Sequence, residues 1–235
     1  MSAMEEHCRD LLQCWRERLE LNRREQGLLA GALHLLDRQL DRLERRSLRI
    51  SVFGRVGVGK SSLVNALVGQ QLMATDVAHG CTRQQQAVLW PRLVPGLETV
   101  ELVDTPGIDE VGGPARARLA ARVALHADLV LLVLDADITR VELEALETLQ
   151  TMGKPVLTVL NRSDCWSKDQ LPDLLRSIRS RLPAGLPAPL AVSAAPRRAV
   201  QLRDGRVRSR KHPPEVEALA ISMSHLLEQH GHSLL

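Results

Sequence analysis

Residues 54–61 read Gly54-Arg55-Val56-Gly57-Val58-Gly59-Lys60-Ser61, the pattern G-x-x-x-x-G-K-[ST]. Glycines at this spacing let the backbone curl until successive N–H groups point inward at an anion. A helix-like run follows at once, Ser62-Leu63-Val64-Asn65-Ala66-Leu67-Val68, and its N-terminal dipole favours the same negative charge. An apolar strand-like run, Leu48-Arg49-Ile50-Ser51-Val52-Phe53, precedes it. Strand, glycine loop and helix in that order predict a triphosphate cradle. Lys60 then reaches the β- and γ-phosphates, and the Ser61 hydroxyl coordinates Mg²⁺.

Three further segments fit that chemistry. Asp104-Thr105-Pro106-Gly107 ends the apolar run Val100-Glu101-Leu102-Val103. A carboxylate at a strand end can hold the water shell of Mg²⁺, and the Gly107 N–H can bond the γ-phosphate. Thr82 sits in His79-Gly80-Cys81-Thr82-Arg83, between the first helix and the second strand, where its hydroxyl can join the metal only while the triphosphate is bound. Asn161-Arg162-Ser163-Asp164 ends the run Pro155 to Leu160. The Asp164 carboxylate can accept from guanine N1–H and N2–H₂, donors that adenine lacks. Asn161 supports the base edge, and the Ala194 N–H in Ser193-Ala194-Ala195 is placed to donate to guanine O6.

The elements that must position these residues alternate along the chain. Strands are predicted at 48–53, 84–91, 97–103, 128–134, 155–160 and 188–192, and helices at 60–68, 114–126, 140–152, 168–182 and 214–230. Runs such as Leu129 to Leu134 are continuously apolar, as strands buried on both faces of a mostly parallel sheet are. The strand at 84–91 starts polar and reads as an edge. Before the sheet, Leu12, Trp15, Leu19, Leu29, Leu33, Leu36, Leu40 and Leu43 recur at spacings of a helix, with a polar break at Asn22 and Gln26. Gly27 and Gly31 weaken the middle, so one long helix or two fit residues 1–46. This segment either lies on the main domain or docks with other helices. At 196–212, Asp204-Gly205 marks a hairpin turn in a stretch made basic by Arg197, Arg198, Arg203, Arg206, Arg208, Arg210 and Lys211. It is either a solvated hairpin or a contact for anionic lipid or RNA phosphate.

Composition narrows the function classes. A chain of 235 residues suits one α/β domain with an accessory element. Phe53, Trp15, Trp90 and Trp166 are its only aromatics, which argues against base stacking as a binding mode. The formal net charge of +3 does not by itself imply a nucleic-acid partner. Cys8, Cys14, Cys81 and Cys165 form no C-x-x-C pair and fit free thiols in a reducing cytosol. No apolar run is long enough to span a bilayer, so the chain as given is expected to be soluble and cytoplasmic.

These motifs, in this order over residues 48–195, resemble the P-loop GTPases of the TrmE–Era–EngA–Septin class. Gly59-Lys60-Ser61-Ser62-Leu63-Val64-Asn65-Ala66-Leu67 is especially similar to the Era and TrmE branch. The resemblance implies a three-layer α/β fold with a mostly parallel six-stranded sheet, here with an extra long N-terminal helix. It divides the chain into a helical segment, 1–46, and a G domain, 47–235, that includes the basic hairpin and the C-terminal helix at 214–230. It implies a Mg²⁺-dependent switch that binds GTP and GDP and hydrolyses GTP. The expected nucleotide residues are Gly54, Arg55, Val56, Gly57, Val58, Gly59, Lys60, Ser61, Ser62, Asp104, Asn161, Arg162, Asp164, Ser193 and Ala194. Lys60, Thr82 and Gly107 would serve catalysis, and Ser61, Thr82 and Asp104 would serve the metal.

Asp135-Ala136-Asp137-Ile138-Thr139-Arg140 and the long leading helix resemble bacterial Era-like members that continue into a hydrophobic membrane domain. On that likeness the chain is the soluble part of a longer protein at the inner face of the cytoplasmic membrane. A nucleotide-gated, dynamin-like scaffold is the alternative from another class. An RNA- or ribosome-bound assembly factor is a further one, with the basic hairpin as its only support and no recognisable RNA-binding module. Three departures from the class pattern carry expectations. Arg162 replaces a Lys whose stem covers the base. Ile108 stands where Ras-like relatives carry a water-orienting Gln, so turnover should be slow. Gly57 replaces the Asn of TrmE-type potassium sites. A second protomer, paired through the G domain or the N-terminal helix, or an external partner would complete the site; His79, Arg83, Asp109 and Glu110 are the candidates within the chain.

Overall fold

Leu129 to Leu134 are six consecutive apolar residues, and all are fully buried. Such a strand needs cover on both faces, so helices must flank the sheet that contains it. The computed structural model describes residues 3–73, 86–109, 113–201 and 206–234. In chain order it contains α1 (Ala3–Glu17), α2 (Arg23–Glu44), β1 (Ser47–Gly54), α3 (Lys60–Val68), β2 (Gln86–Leu89), β3 (Thr99–Asp104), α4 (Gly113–His126) and β4 (Leu129–Leu134). Then follow α5 (Arg140–Thr151), β5 (Val156–Leu160), α6 (Gln170–Arg181), β6 (Leu190–Ala191), β7 (Arg197–Gln201), β8 (Val207–Lys211) and α7 (Glu217–Leu234).

The first six strands form one sheet in the order β2-β3-β1-β4-β5-β6. β1 pairs parallel with β4, β4 with β5, and β5 with β6, while β2 runs antiparallel to β3 at the edge. The register sets Gly54 beside Val133, Leu134 beside Leu160, and Leu160 beside Ala191. The carboxyl ends of β1, β4, β5 and β6 therefore line up along one end of the sheet. In open parallel sheets this is where ligands bind.

The alternation of β4 divides its burial between two faces. Val130, Leu132 and Leu134 pack in one core with Ala120, Val123 and Ala124 of α4, Leu146 and Leu149 of α5, and Ile178 of α6. Leu129, Leu131 and Val133 are equally buried on the other face. α3 contributes the buried Leu63, Val64 and Leu67, and α7 contributes Leu219, Ala220 and Met223. Phe53 is the one aromatic among the largest buried side chains, so the core is built from aliphatic residues, as the composition requires.

Residues 49–91 and 101–223 form one compact unit; residues 1–48, 92–100 and 224–235 form another. In the second unit the N-terminal segment, which the sequence leaves open as one long helix or two, is two helices, broken over 18–22. The break is chemical. Asn22 accepts from the N–H groups of Arg24 and Glu25, Glu25 Oε2 accepts from Asn22 N–H, and Gln26 Nε2 donates to Leu21 O. This capping box is worth about 1 kcal/mol, more than an Asn contributes inside a helix. Gly27 and Gly31, the expected weak points, lie inside α2. Arg16 grips Asp37 through two hydrogen bonds of 2.7 and 3.1 Å and joins α1 to α2. β7 and β8 form a separate antiparallel ribbon, as the hairpin reading expects; the turn residues Asp204 and Gly205 lie outside the described residues.

Candidate nucleotide site

The glycine loop leaves β1 at Gly54 and enters α3 at Lys60. Gly59 has φ +90°, and a Cβ there would lie 2.4 Å from Asn161 Nδ2, so only glycine fits. Lys60 is buried, and its Nζ donates to Gly54 O at 3.1 Å and Arg55 O at 2.7 Å. The ammonium is thus arched back over its own loop. Ser61 Oγ donates to Asp104 Oδ2 at 2.5 Å, across 43 residues of sequence.

The segment after β3 is pinned against the loop. Thr105 Oγ1 donates to Val52 O at 2.8 Å, and the Ile108 N–H donates to Gly54 O at 3.2 Å. A Cβ on Gly107 would fall 2.3 Å from Val56 Cγ2 and 2.8 Å from Val56 N. Glycine is needed for that approach. The Val56 N–H donates to Asp109 Oδ1 at 2.7 Å. Ile108 is fully buried in the core, so its side chain does not face the loop at all.

At the other end, Asn161 stitches two loops together. Its Nδ2 donates to Val58 O at 2.9 Å and its Oδ1 accepts the Ala194 N–H at 3.1 Å. The Ala194 amide, expected to face guanine O6, here donates to Asn161. A buried amide takes the nearest acceptor, and Asn161 is itself only 2% exposed. Ser193 Oγ lies 2.8 Å from Ser163 Oγ and accepts the Asp164 N–H at 3.0 Å. Asp164 Oδ2 accepts the Arg197 N–H at 3.1 Å. The backbone and the carboxylate of Asp164 are thus both anchored to the segment that runs from β6 into β7.

Arg162 adopts a left-handed backbone, φ +58°. Its guanidinium donates to Gly57 O at 2.6 Å and meets Asp135 Oδ2 at 3.3 Å. Asp135 also pairs with Arg55 at 3.2 Å, and Arg55 donates to the fully buried Glu142 at 2.9 Å. The hydrogen bond to Glu142 is the main cause that raises the Arg55 pKa above its ordinary value. Glu142 in turn caps α5 by accepting from the Thr139 N–H and hydroxyl at 2.8 and 2.6 Å. This chain, Arg162–Asp135–Arg55–Glu142–Thr139, ties the phosphate loop to the base loop. Sequence reasoning gave Asp135 no role, although the phrase Asp135 to Arg140 stood out.

The donor set suits Mg²⁺. Ser61 Oγ and the buried Asp104 carboxylate are hard oxygen ligands held against each other beside the loop. Thr82, the third expected ligand, lies outside the described residues, as do His79, Arg83 and Glu110. A cleft of about 540 Å³ opens beside Ser62, Asn65 and Ala66 of α3 and Ala194, Ala195 and Lys211, adjoining two residues assigned to the nucleotide.

Residues 49–162 match the family described as 50S ribosome-binding GTPase. The tRNA modification GTPase MnmE of Myxococcus xanthus is 40% identical over 126 residues, which is 52% of this chain and 28% of that protein. GTPase Der of Rhizobium johnstonii is 36% identical over 130 residues, 52% of this chain and 27% of that protein. The match thus spans little more than a quarter of these relatives. Among solved structures, Era of Aquifex aeolicus bound to GDP·AlF₄⁻ aligns with TM-score 0.58 and 22% identity over 76% of this chain and 56% of that one. Toc33 of Arabidopsis thaliana with Mg²⁺ and GMPPNP aligns with TM-score 0.53 and 18% identity, over 85% of this chain and 93% of that one. At such identities these two speak for the fold alone. Over residues 49–162 the chain is similar to GTPase domains of the TrmE–Era–EngA–septin class.

Proposed function

We propose that this domain binds GTP with Mg²⁺, hydrolyses it slowly to GDP and phosphate, and acts as a nucleotide-dependent switch. The observation that carries the reading is the Asn161 bridge. One buried side chain holds the phosphate loop at Val58 and the base loop at Ala194, so both halves of a guanine nucleotide meet one rigid frame. Asp164 supplies the acceptor pair for guanine N1 and N2. Lys60 turns from its loop carbonyls to the β- and γ-phosphate oxygens. Ser61 and Asp104 would hold Mg²⁺, which when bound offsets the charge on the phosphates.

Hydrolysis needs water in line with the β–γ bridge. Water attacks the γ-phosphorus, the bridging P–O bond breaks with its electrons leaving on GDP, and the proton ends on phosphate. Ile108 is buried in the core and cannot orient that water. Of the candidates within the chain only Asp109 is among the described residues, and it borders the Val56 amide. Slow intrinsic turnover follows, with a second protomer or another partner completing the site. No described helix is long and apolar enough to cross a membrane. A membrane-spanning segment of the kind the resemblance implies is not among the described residues. Equilibrium titration with GTP, GDP and ATP tests the reading: tight guanine binding with ATP at least a hundredfold weaker supports it, and equal affinity for ATP overturns it.

A further inference from the structure

The nucleotide chemistry leaves the β7–β8 ribbon unused. Its register places Arg197 opposite Lys211 and Arg198 opposite Arg210. Like charges directly opposite destabilise a two-stranded ribbon. Of its ten residues all but Val200 are exposed, so no packing offsets that repulsion. Alternation puts Arg198, Val200, Arg208 and Arg210 on one face and Arg197, Ala199, Gln201, Val207, Ser209 and Lys211 on the other. Positive charge therefore stands on both faces. Glu215 meets Arg198 at 3.3 Å, which leaves the excess strongly positive.

We propose that this ribbon docks across the wide minor groove of double-helical RNA and grips the phosphodiester backbones on either side of it. A bilayer is a plane and would meet one charged face, whereas a groove has two phosphate walls and meets both. Five residues at about 3.3 Å each give a ribbon of about 17 Å, long enough to pass several phosphates of one strand. Four of the five basic residues in the strands are arginines, whose planar fork matches phosphate oxygens in pairs. The strands carry no aromatic residue to stack on splayed bases, which favours a duplex over a single strand. They offer a bilayer only Val200 and Val207 as large apolar groups. Gln201 and Ser209 share a face and can pair with ribose 2′-hydroxyls, which DNA lacks.

The test is fluorescence anisotropy of a labelled sixteen-base-pair RNA duplex titrated with the whole chain, from low to physiological salt. The same titration is run with a DNA duplex of equal length and with vesicles containing anionic phosphatidylglycerol. The account predicts RNA binding that weakens steeply with salt. Arg208→Ala/Arg210→Ala should bind about tenfold more weakly and lower the log–log salt slope by about two units. Arg208→Lys/Arg210→Lys should keep the slope. Circular dichroism confirms that the variants fold. Absence of RNA binding at low salt overturns the proposal, as does equal affinity for DNA or binding to vesicles alone. It is also overturned if the alanine variant binds RNA unchanged but aggregates, since the arginines would then only guard open strand edges.

Discussion

The carboxylate of Asp109 accepts the backbone N–H of Val56 at 2.7 Å, a contact across 53 residues that closes the segment after β3 onto the phosphate loop. Val56 belongs to the ring of amides that a triphosphate would use. A carboxylate oxygen there competes with a terminal phosphate oxygen for the same donor. GDP has no γ-phosphate and need not displace it. Asp109→Ala should therefore raise affinity for GTP by roughly tenfold relative to GDP, the value of one charge-assisted hydrogen bond. Competitive titration of both nucleotides reads this ratio. An equal change for GTP and GDP would show only a general loss of negative charge near the site.

Asp135 holds two arginines, Arg55 of the phosphate loop and Arg162 of the base loop. Asp135→Ala should weaken GTP and GDP alike by roughly fivefold, about 1 kcal/mol for partly exposed pairs. Calorimetric titration checks it, and unchanged affinity would mean that Arg162 needs no support. Glu142 is different because it is fully buried. Removing it strands Arg55 and uncaps α5. Glu142→Ala should cost about 3 kcal/mol of folding stability. Denaturant unfolding at neutral pH measures the cost.

Asp164 is fixed by the Arg197 amide on one oxygen and through its own N–H by Ser193. Asp164→Asn replaces an acceptor with a donor at the base edge. Preference should shift from GTP toward XTP, whose ring presents the opposite pattern. Retained GTP preference in a nucleotide competition would show that guanine is read elsewhere.

The Arg16 hydrogen bond holds the Asp37 carboxyl below its ordinary value of 3.8. A carboxyl with a lowered folded pKa adds stability above its unfolded value, and that stability fades as pH falls through the folded one. The stability difference between the wild type and Asp37→Asn should persist above about pH 3.8 and fade progressively as the pH falls below it. Thermal melts across an acid series would show it, and a difference that is flat with pH would remove the pair from the account.

The parts legible in sequence are those whose information is local. Gly54 to Ser61 is a contiguous pattern, and the apolar run Leu129 to Leu134 declares its own burial. Asp104 and Asn161 could be placed because each ends such a run. What the sequence concealed depends on partners far apart. The Asp135 links to Arg55 and Arg162 span three loops, and the Asp109–Val56 contact needs the sheet to form first. The Ala194–Asn161 hydrogen bond likewise joins two residues that only the folded loops bring near. The α1–α2 break was half legible: the polar interruption at Asn22 and Gln26 allowed it, but only the cap made by Asn22 and Glu25 decides between one helix and two.

The most direct measurement is GTP turnover per protein molecule with Mg²⁺, for the wild type and for Lys60→Ala, over a wide range of protein concentration. Slow hydrolysis in the wild type, reduced at least a hundredfold in Lys60→Ala at every concentration, is the predicted result. Equal turnover by the two proteins, or none by the wild type at any concentration, would contradict the account.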